Sequence, residues 1–212
     1  MIVHAIIFDL DNCLATSDEP GRDLLDPVFA AVRAANRGRL LEEELEAAFR
    51  DCWRYGFDRV AKEHGFSEEM RDAGWRAFAR TEVREPMQGY GDLHVLPHLG
   101  DRRFLVTSGF RRLQESKVRA LGIAHLFDEV VIDALDEPGR RGKERIFADL
   151  LARYRLQPAE AIVVGDDPES ELTAARRLGL RPVQMVRPGI QPASGVTHVT
   201  DLAQLQRLLV DS

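Results

Sequence analysis

The sequence predicts an α/β protein built on a parallel sheet and interrupted by one helical insert. Three observations predict it. Five short apolar runs, at residues 2–8, 104–106, 130–132, 161–164 and 182–186, are rich in Ile and Val. Apolar runs of that length that do not alternate with polar residues read as strands buried on both faces. Helical apolar spacings separate the later runs, and strand–helix alternation implies a parallel sheet with right-handed crossovers. Between the first and second runs, residues 14–91 contain no strand-like segment.

The elements follow in chain order. Residues 2–8 form the first strand, bounded by Asp9. In the insert, Leu41, Leu45, Phe49, Cys52, Gly56 and Val60 follow one helical stripe, and Met70, Ala73, Ala77 and Thr81 suggest another. Trp53 and Trp75 are read as core anchors of this insert, because large aromatic rings dominate small cores. After Gly109, Leu113, Lys117, Ala120 and Leu121 keep a helical spacing that ends at Gly122, where a left-handed cap belongs. From Lys143, the set Ile146, Phe147, Leu150, Leu151 and Tyr154 marks one helix face. From Pro168, Leu172, Ala175 and Leu178 do the same, closed by Gly179. Thr200 is placed to cap a last helix carrying Leu202, Leu205, Leu208 and Leu209. No repeat of solenoid period is visible.

Composition bounds the function. The chain has 212 residues, 44% hydrophobic and 30% charged, enough for one compact domain or one domain with a smaller insert. That apolar fraction excludes a disordered chain. Lys and Arg number 29 against 35 Asp and Glu, a net charge of -6, which opposes a nucleic-acid footprint over the whole surface. Cys13 and Cys52 are the two cysteines; neither a CxxC pair nor a zinc spacing occurs, so a reduced, cytoplasmic setting is expected. The first residues lack a basic region and a long apolar run, and no stretch reaches transmembrane length, so no membrane partner is expected. Oligomeric state is left open.

The residues able to do chemistry sit where the strands end. Asp9 and Asp11 follow the first strand, and in an open parallel sheet ligands bind at the carboxyl ends of the strands. Two carboxylates there repel unless a cation or proton joins them. Alone, this is an acidic turn. Thr107, Ser108 and Gly109 follow the second strand, and such a turn binds an anion or caps a helix. Gly165, Asp166 and Asp167 follow the fourth, with Glu171 further on, as a second acidic cluster. Lys143 opens the helix ahead of that strand, against the macrodipole, which suggests another partner. Together these groups meet on one edge of one sheet. Acids from two strands can hold a hard divalent cation such as Mg²⁺, and hydroxyls and a lysine can hold an anion beside it. A carboxylate facing that anion suggests phosphoryl transfer.

The set FDLDNCL, LVTSG, GKERIF and VVGDDPESE resembles the haloacid dehalogenase superfamily of hydrolases, in that family's order and across nearly the whole chain. The resemblance implies a Rossmann-like core with strand order 5-4-1-2-3, formed by residues 1–14 and 92–212. Residues 15–91 would be the helical cap that follows the first motif in many members. It also implies roles. Asp9 would be the nucleophile that forms an aspartyl phosphate, and Asp11 the acid that protonates the leaving oxygen and then activates water. Thr107 would bind the phosphate, with Ser108 beside it, and Lys143 would bridge phosphate and nucleophile. Asp166 would hold Mg²⁺ with the Asp9 carboxylate and the Asp11 carbonyl, supported by Asp167 or Glu171.

Three positions depart from the family's pattern. Cys13 stands where Thr or Val is usual and reads as a small packing residue, Glu171 stands where Asp is common, and Glu144 where Pro is frequent. The expected activity is a Mg²⁺-dependent phosphatase acting on a small phosphorylated metabolite. A phosphomutase would use the same residues. A 2-haloacid dehalogenase needs neither Asp11 nor Asp166. A phosphoacceptor regulatory module places its acids on different strands, and a non-catalytic regulator on this fold remains a further alternative. GxGxxG and GxxxxGK[ST] are both absent, which opposes a nucleotide-binding module.

Overall fold

A computed structural model describes residues 3–210. Its centre is a six-stranded sheet of β1 (Ala5–Phe8), β2 (Arg102–Gly109), β3 (Glu129–Ala134), β4 (Ala161–Gly165), β5 (Arg181–Met185) and β6 (Thr197–Val199). The order is β3-β2-β1-β4-β5-β6, with every pairing parallel. This contains the expected five-strand order and adds β6 at one edge. β6 escapes sequence reading because it is three residues long and only Val199 is buried in it. The first strand begins at Ala5; Met1 and Ile2 lie outside the described residues.

β1 is central, and all four of its residues are buried. Its register places Phe8 beside Leu105 on one neighbour and Val164 on the other. Its side chains alternate between two cores. Ile6 and Phe8 pack with Leu105, Ile162, Val164, Leu202 and Leu205 on one face. Ala5 and Ile7 pack with Phe104, Val163, Ile146, Phe147 and Ala175 on the other. Each such buried Ile, Leu or Phe contributes about 1.5–3 kcal/mol relative to exposure.

Four helices cover the two faces. One is α5 (Arg111–Leu121), ended by Gly122 at φ 66. Another, α6 (Gly142–Tyr154), ends on Arg155 at φ 56, a left-handed cap without the glycine that would have announced it. The others are the short α7 (Glu171–Arg177) and α8 (Leu202–Val210). The cap of α8 is Asp201 rather than Thr200. Asp201 Oδ1 accepts the Gln204 N–H at 2.6 Å, while Gln204 Oε1 reaches back to the Thr200 N–H at 2.7 Å.

Between β1 and β2 the chain forms α1 (Asp26–Ala35), α2 (Glu42–Asp51), α3 (Phe57–Glu63) and α4 (Glu68–Phe78). The single stripe expected over residues 41–60 is two helices. The chain turns after Asp51, and Gly56, extended at φ -58 and ψ 142, starts α3 afresh. The buried face of α4 is Met70, Gly74 and Phe78, one step from the expected Ala73 and Ala77. Gly74 explains the shift: a Cβ there would lie 2.2 Å from Phe57 Cζ, so α3 and α4 meet through an aromatic ring seated on bare backbone. α1 was not expected, since it buries only Val28 and Val32. The apolar core of these helices continues onto Phe110, Leu113 and Leu135, with Phe78 stacked on Phe110 at 4.9 Å. Trp75 packs edge-on against Phe110. Among the described residues, no helix is long and apolar enough to cross a membrane.

Candidate active site

β1 and β4 are neighbours in register, so the residues just past their ends are neighbours too. The Asp9 N–H extends the ladder by donating to the Val164 carbonyl at 2.9 Å. The chain then turns sharply. Asn12 is left-handed at φ 55, and the Asn12 and Leu14 N–H groups close onto the Ala15 and Leu10 carbonyls. Asn tolerates that backbone better than most residues, so the turn fixes Asp9 and Asp11 at the edge of the sheet before the chain enters α1.

Lys143, in the first turn of α6, reaches Asp9 Oδ1 at 2.9 Å and Glu171 Oε2 at 2.8 Å. Glu171 Oε1 in turn accepts the Asp167 N–H at 2.8 Å. Gly165 makes room for this: a Cβ there would lie 2.3 Å from Glu171 Oε1. Asp9, Lys143, Asp166 and Glu171 are all buried. Burial pushes Asp9 up to about 7 against the pull of Lys143. Burial, with Glu171 and Asp9 nearby, pushes Asp166 up to about 8. Burial alone would lower Lys143, but Asp9 and Glu171 together hold it well above the usual lysine range. Three carboxylates thus crowd one ammonium, and the excess negative charge is paid for in raised pKa values.

One carboxylate oxygen from each of Asp9, Asp166 and Glu171 lies within 4.8 Å of the other two. Both Glu171 oxygens already accept from Lys143 and Asp167. Asp9 Oδ1 is buried, with the Lys143 ammonium at 2.9 Å as its charged neighbour. A hard divalent cation fits this donor set: it takes oxygen ligands and offsets the surplus negative charge of three buried carboxylates around one ammonium.

Along β2 the two hydroxyls point apart, as alternation requires. Thr107 is buried and its Oγ1 accepts from Gln114 Nε2 at 2.7 Å. Ser108 Oγ faces Asp133 Oδ2 at 3.2 Å, on the β3 side. Asp133, which sequence reading passed over, is buried and also accepts from Arg140 Nε at 2.9 Å and the Gly142 N–H at 3.0 Å. It ties the start of α6 to the end of β3. Asp167 is less buried than Asp166, and its Oδ1 accepts the Glu169 N–H. Cys13 is fully buried, with its Sγ 3.7 Å from the Val164 carbonyl and its thiol pushed up by burial.

All eight residues singled out in sequence (Asp9, Asp11, Thr107, Ser108, Lys143, Asp166, Asp167 and Glu171) line one cavity of about 340 Å³. Its walls are Leu25, Trp53, Tyr55, Phe57 and Phe78 from the insert and Phe110 and Leu135 from the core. Trp53, expected as a core anchor, packs half-buried against the apolar core of the insert and also lines this space. Two further lining residues, Gln114 and Lys117 on α5, contact Asp11 directly: Lys117 Nζ lies 2.6 Å from Oδ1, and Gln114 Nε2 lies 2.9 Å from Oδ2. In the sequence Lys117 stands at one position of the helical stripe that follows Gly109. A lysine inside an apolar stripe was the signal, because a buried ammonium needs a partner.

Residues 3–179 match the family model of haloacid dehalogenase-like hydrolases. The chain belongs to that family. This hydrolase is 28% identical over 200 residues to the glyceraldehyde 3-phosphate phosphatase of Methanopyrus kandleri, covering 88% of this chain and 85% of that one. It is 30% identical over 161 residues to the phosphoserine phosphatase of Thermus thermophilus, covering 68% and 63%. Among solved structures, a HAD phosphatase from Thermococcus onnurineus superposes with a TM-score of 0.63 at 20% identity, over 98% of both chains. A 2-haloacid dehalogenase from Pseudomonas syringae superposes at 0.60 and 19%, over 99% of both. At such identities the structural likeness speaks for the haloacid dehalogenase fold alone.

Proposed function

We propose that this hydrolase is a Mg²⁺-dependent phosphatase that cleaves a small phosphomonoester through an aspartyl phosphate on Asp9. The observation that carries the reading is the setting of Asp9: a buried carboxylate 2.9 Å from Lys143, grouped with the Asp166 and Glu171 carboxylates, and with a second carboxylate, Asp11, on the same turn. The phosphatase names of the two relatives support it.

Mg²⁺ would be held by Asp9, Asp166 and the Asp11 carbonyl, with Glu171 and Asp167 steadying the cluster. Bound there, it would neutralise charge on the phosphoryl oxygens. The remaining work falls to the chain. Lys143 and the Thr107 hydroxyl bind and orient the phosphate; Ser108, turned toward Asp133, supports the strand end instead. An Asp9 oxygen attacks phosphorus, the ester P–O bond breaks, and the leaving oxygen takes a proton from Asp11. Water then gives a proton to Asp11 as it attacks phosphorus, the aspartyl P–O bond breaks, and Asp9 is regenerated. Residues 15–91 act as a cap over a catalytic core of residues 1–14 and 92–212, closing the cavity and shaping the substrate pocket. With both cysteines free, the reading places the protein in the cytoplasm.

The test is phosphate release from an aryl phosphate, with Mg²⁺ and after EDTA, followed by acid quench and intact mass. Turnover should stop in EDTA and return with Mg²⁺. Asp11→Asn should accumulate one phosphoryl group per chain, since the step it retains is the one an activated leaving group scarcely needs help with. Asp9→Asn should trap none. Undiminished turnover in EDTA, or a phosphoenzyme on Asp9→Asn, would overturn the reading.

A further inference from the structure

Asp11 is not left to find its own position. Its two carboxylate oxygens are each taken by a side chain from α5, Lys117 on Oδ1 at 2.6 Å and Gln114 on Oδ2 at 2.9 Å. Gln114 and Lys117 are one helical turn apart, so a single face of α5 delivers both. Lys117 is 5% exposed and Gln114 2%. Burying an ammonium is costly unless its partner is well placed, and Asp11 is the carboxylate that meets it.

Gln114 does a second thing. Its two N–H groups serve Asp11 Oδ2 and Thr107 Oγ1, the latter at 2.7 Å, with the Ser108 carbonyl at 3.1 Å sharing one of them. An amide nitrogen can only donate, so it occupies a lone pair of the Thr107 hydroxyl and leaves that hydroxyl's own proton to point elsewhere. Each Asp11 oxygen likewise keeps a second lone pair, since a carboxylate oxygen can accept twice. The sequence makes space for this amide. A Cβ on Gly109 would lie 2.8 Å from Gln114 Cγ and 3.1 Å from its Nε2. The Thr-Ser-Gly turn therefore contributes through its glycine as well as its hydroxyls.

We infer that Gln114 and Lys117 are positioning residues for this hydrolase, a clamp on α5 that fixes the Asp11 carboxylate for proton transfer and aims the Thr107 hydroxyl at the phosphate. The inference rests on the acid–base role proposed above for Asp11. The clamp touches neither the substrate nor the transferred group; it acts through Asp11 and Thr107. Because the geometry of a proton-transfer group governs the chemical step more than binding, loss of the clamp should fall on kcat.

The experiment measures steady-state kinetics with an aryl phosphate and Mg²⁺ for Lys117→Met, Gln114→Glu and Asp11→Asn, and for Lys117→Met combined with Asp11→Asn. Lys117→Met removes the ammonium and keeps an unbranched buried chain. Gln114→Glu is isosteric and turns the donor into an acceptor facing Asp11, so it reports even where Lys117→Met fails to fold. Thermal unfolding checks that each variant is native. Each single variant on α5 should lose roughly 10- to 100-fold in kcat with little change in KM. In the Asp11→Asn background, Lys117→Met should cost no more than about 2-fold, because its target is already gone. If Asp11→Asn is impaired but the α5 variants keep wild-type kcat, or if the losses simply multiply, the clamp is overturned while the function stands. If Asp11→Asn itself turns over like wild type, the acid–base role fails and the clamp with it.

Discussion

The Asp9 and Asp166 carboxylates are held apart from their usual behaviour by burial and by each other. From the ordinary carboxylate value of 3.8, burial in the folded chain pushes Asp9 up to about 7 and Asp166 up to about 8. Over that interval the folded, metal-free protein binds more protons than the unfolded one, so its stability falls as pH rises from about 4 through 8. A divalent cation favours the ionised form and opposes that slope. The metal-stripped protein should therefore melt at a higher temperature at pH 5.5 than at pH 8, and added Mg²⁺ should raise the melting temperature more at pH 8. Calorimetric scans at the two pH values, with and without Mg²⁺, would show it; a flat metal-free profile would mean that the acids are not crowded in solution. At this scale the motif residues were legible, because carboxylates, hydroxyls and a lysine at strand ends are costly to collect without a ligand. Lys117 and Gln114 were not, because each meets Asp11 from more than 100 residues away in sequence; Asp133 was not, because nothing in its own strand marks the Arg140 and Gly142 partners that fold back onto it.

At the scale of elements, glycines decide how segments approach. Gly74 lies inside α4, where Ala would favour the helix by about 1 kcal/mol. The Phe57 ring occupies the place of the missing methyl. Gly74→Ala should nonetheless destabilise the protein, since overpacking costs about 1–3 kcal/mol. Denaturant unfolding should show a lowered midpoint with unchanged slope; a raised midpoint would mean that α3 moves away at no cost. The same contact explains why the buried positions between Met70 and Thr81 are Gly74 and Phe78, each one residue after the expected Ala73 and Ala77. An apolar-stripe reading counts side chains, and here the buried surface is backbone. The break between α2 and α3 was hidden for a related reason: its apolar positions stay in phase while the hydrogen bonds do not.

Across the whole molecule, floor and walls of the cavity come from different parts of the chain. The sheet edge supplies the polar groups, and the insert supplies Leu25, Trp53, Tyr55, Phe57 and Phe78. If residues 15–91 are a cap, replacing them with a short linker should spare kcat/KM for an aryl phosphate more than for the best substrate found in a metabolite panel. The aryl phosphate needs only the floor, whereas the metabolite depends on the walls for position. Equal losses for both, in a variant whose thermal unfolding remains cooperative, would make the insert a structural support instead.

The sequence by itself determined the parallel α/β class, the order of five strands through its family resemblance, and the eight polar residues at the sheet edge. Those follow from local patterns, namely runs of Ile and Val, helical spacings and acids immediately after strands. Tertiary structure alone decided the sixth strand, the split of one expected helix into two, the place of Trp53 in the cavity wall, and the clamp on Asp11. These depend on which surfaces meet across long stretches of chain: β6 is too short to carry a pattern, and Asp11 meets Lys117 only because α5 packs beside the end of β1. A contact 106 residues apart leaves no local trace beyond a lysine standing where an apolar residue was due.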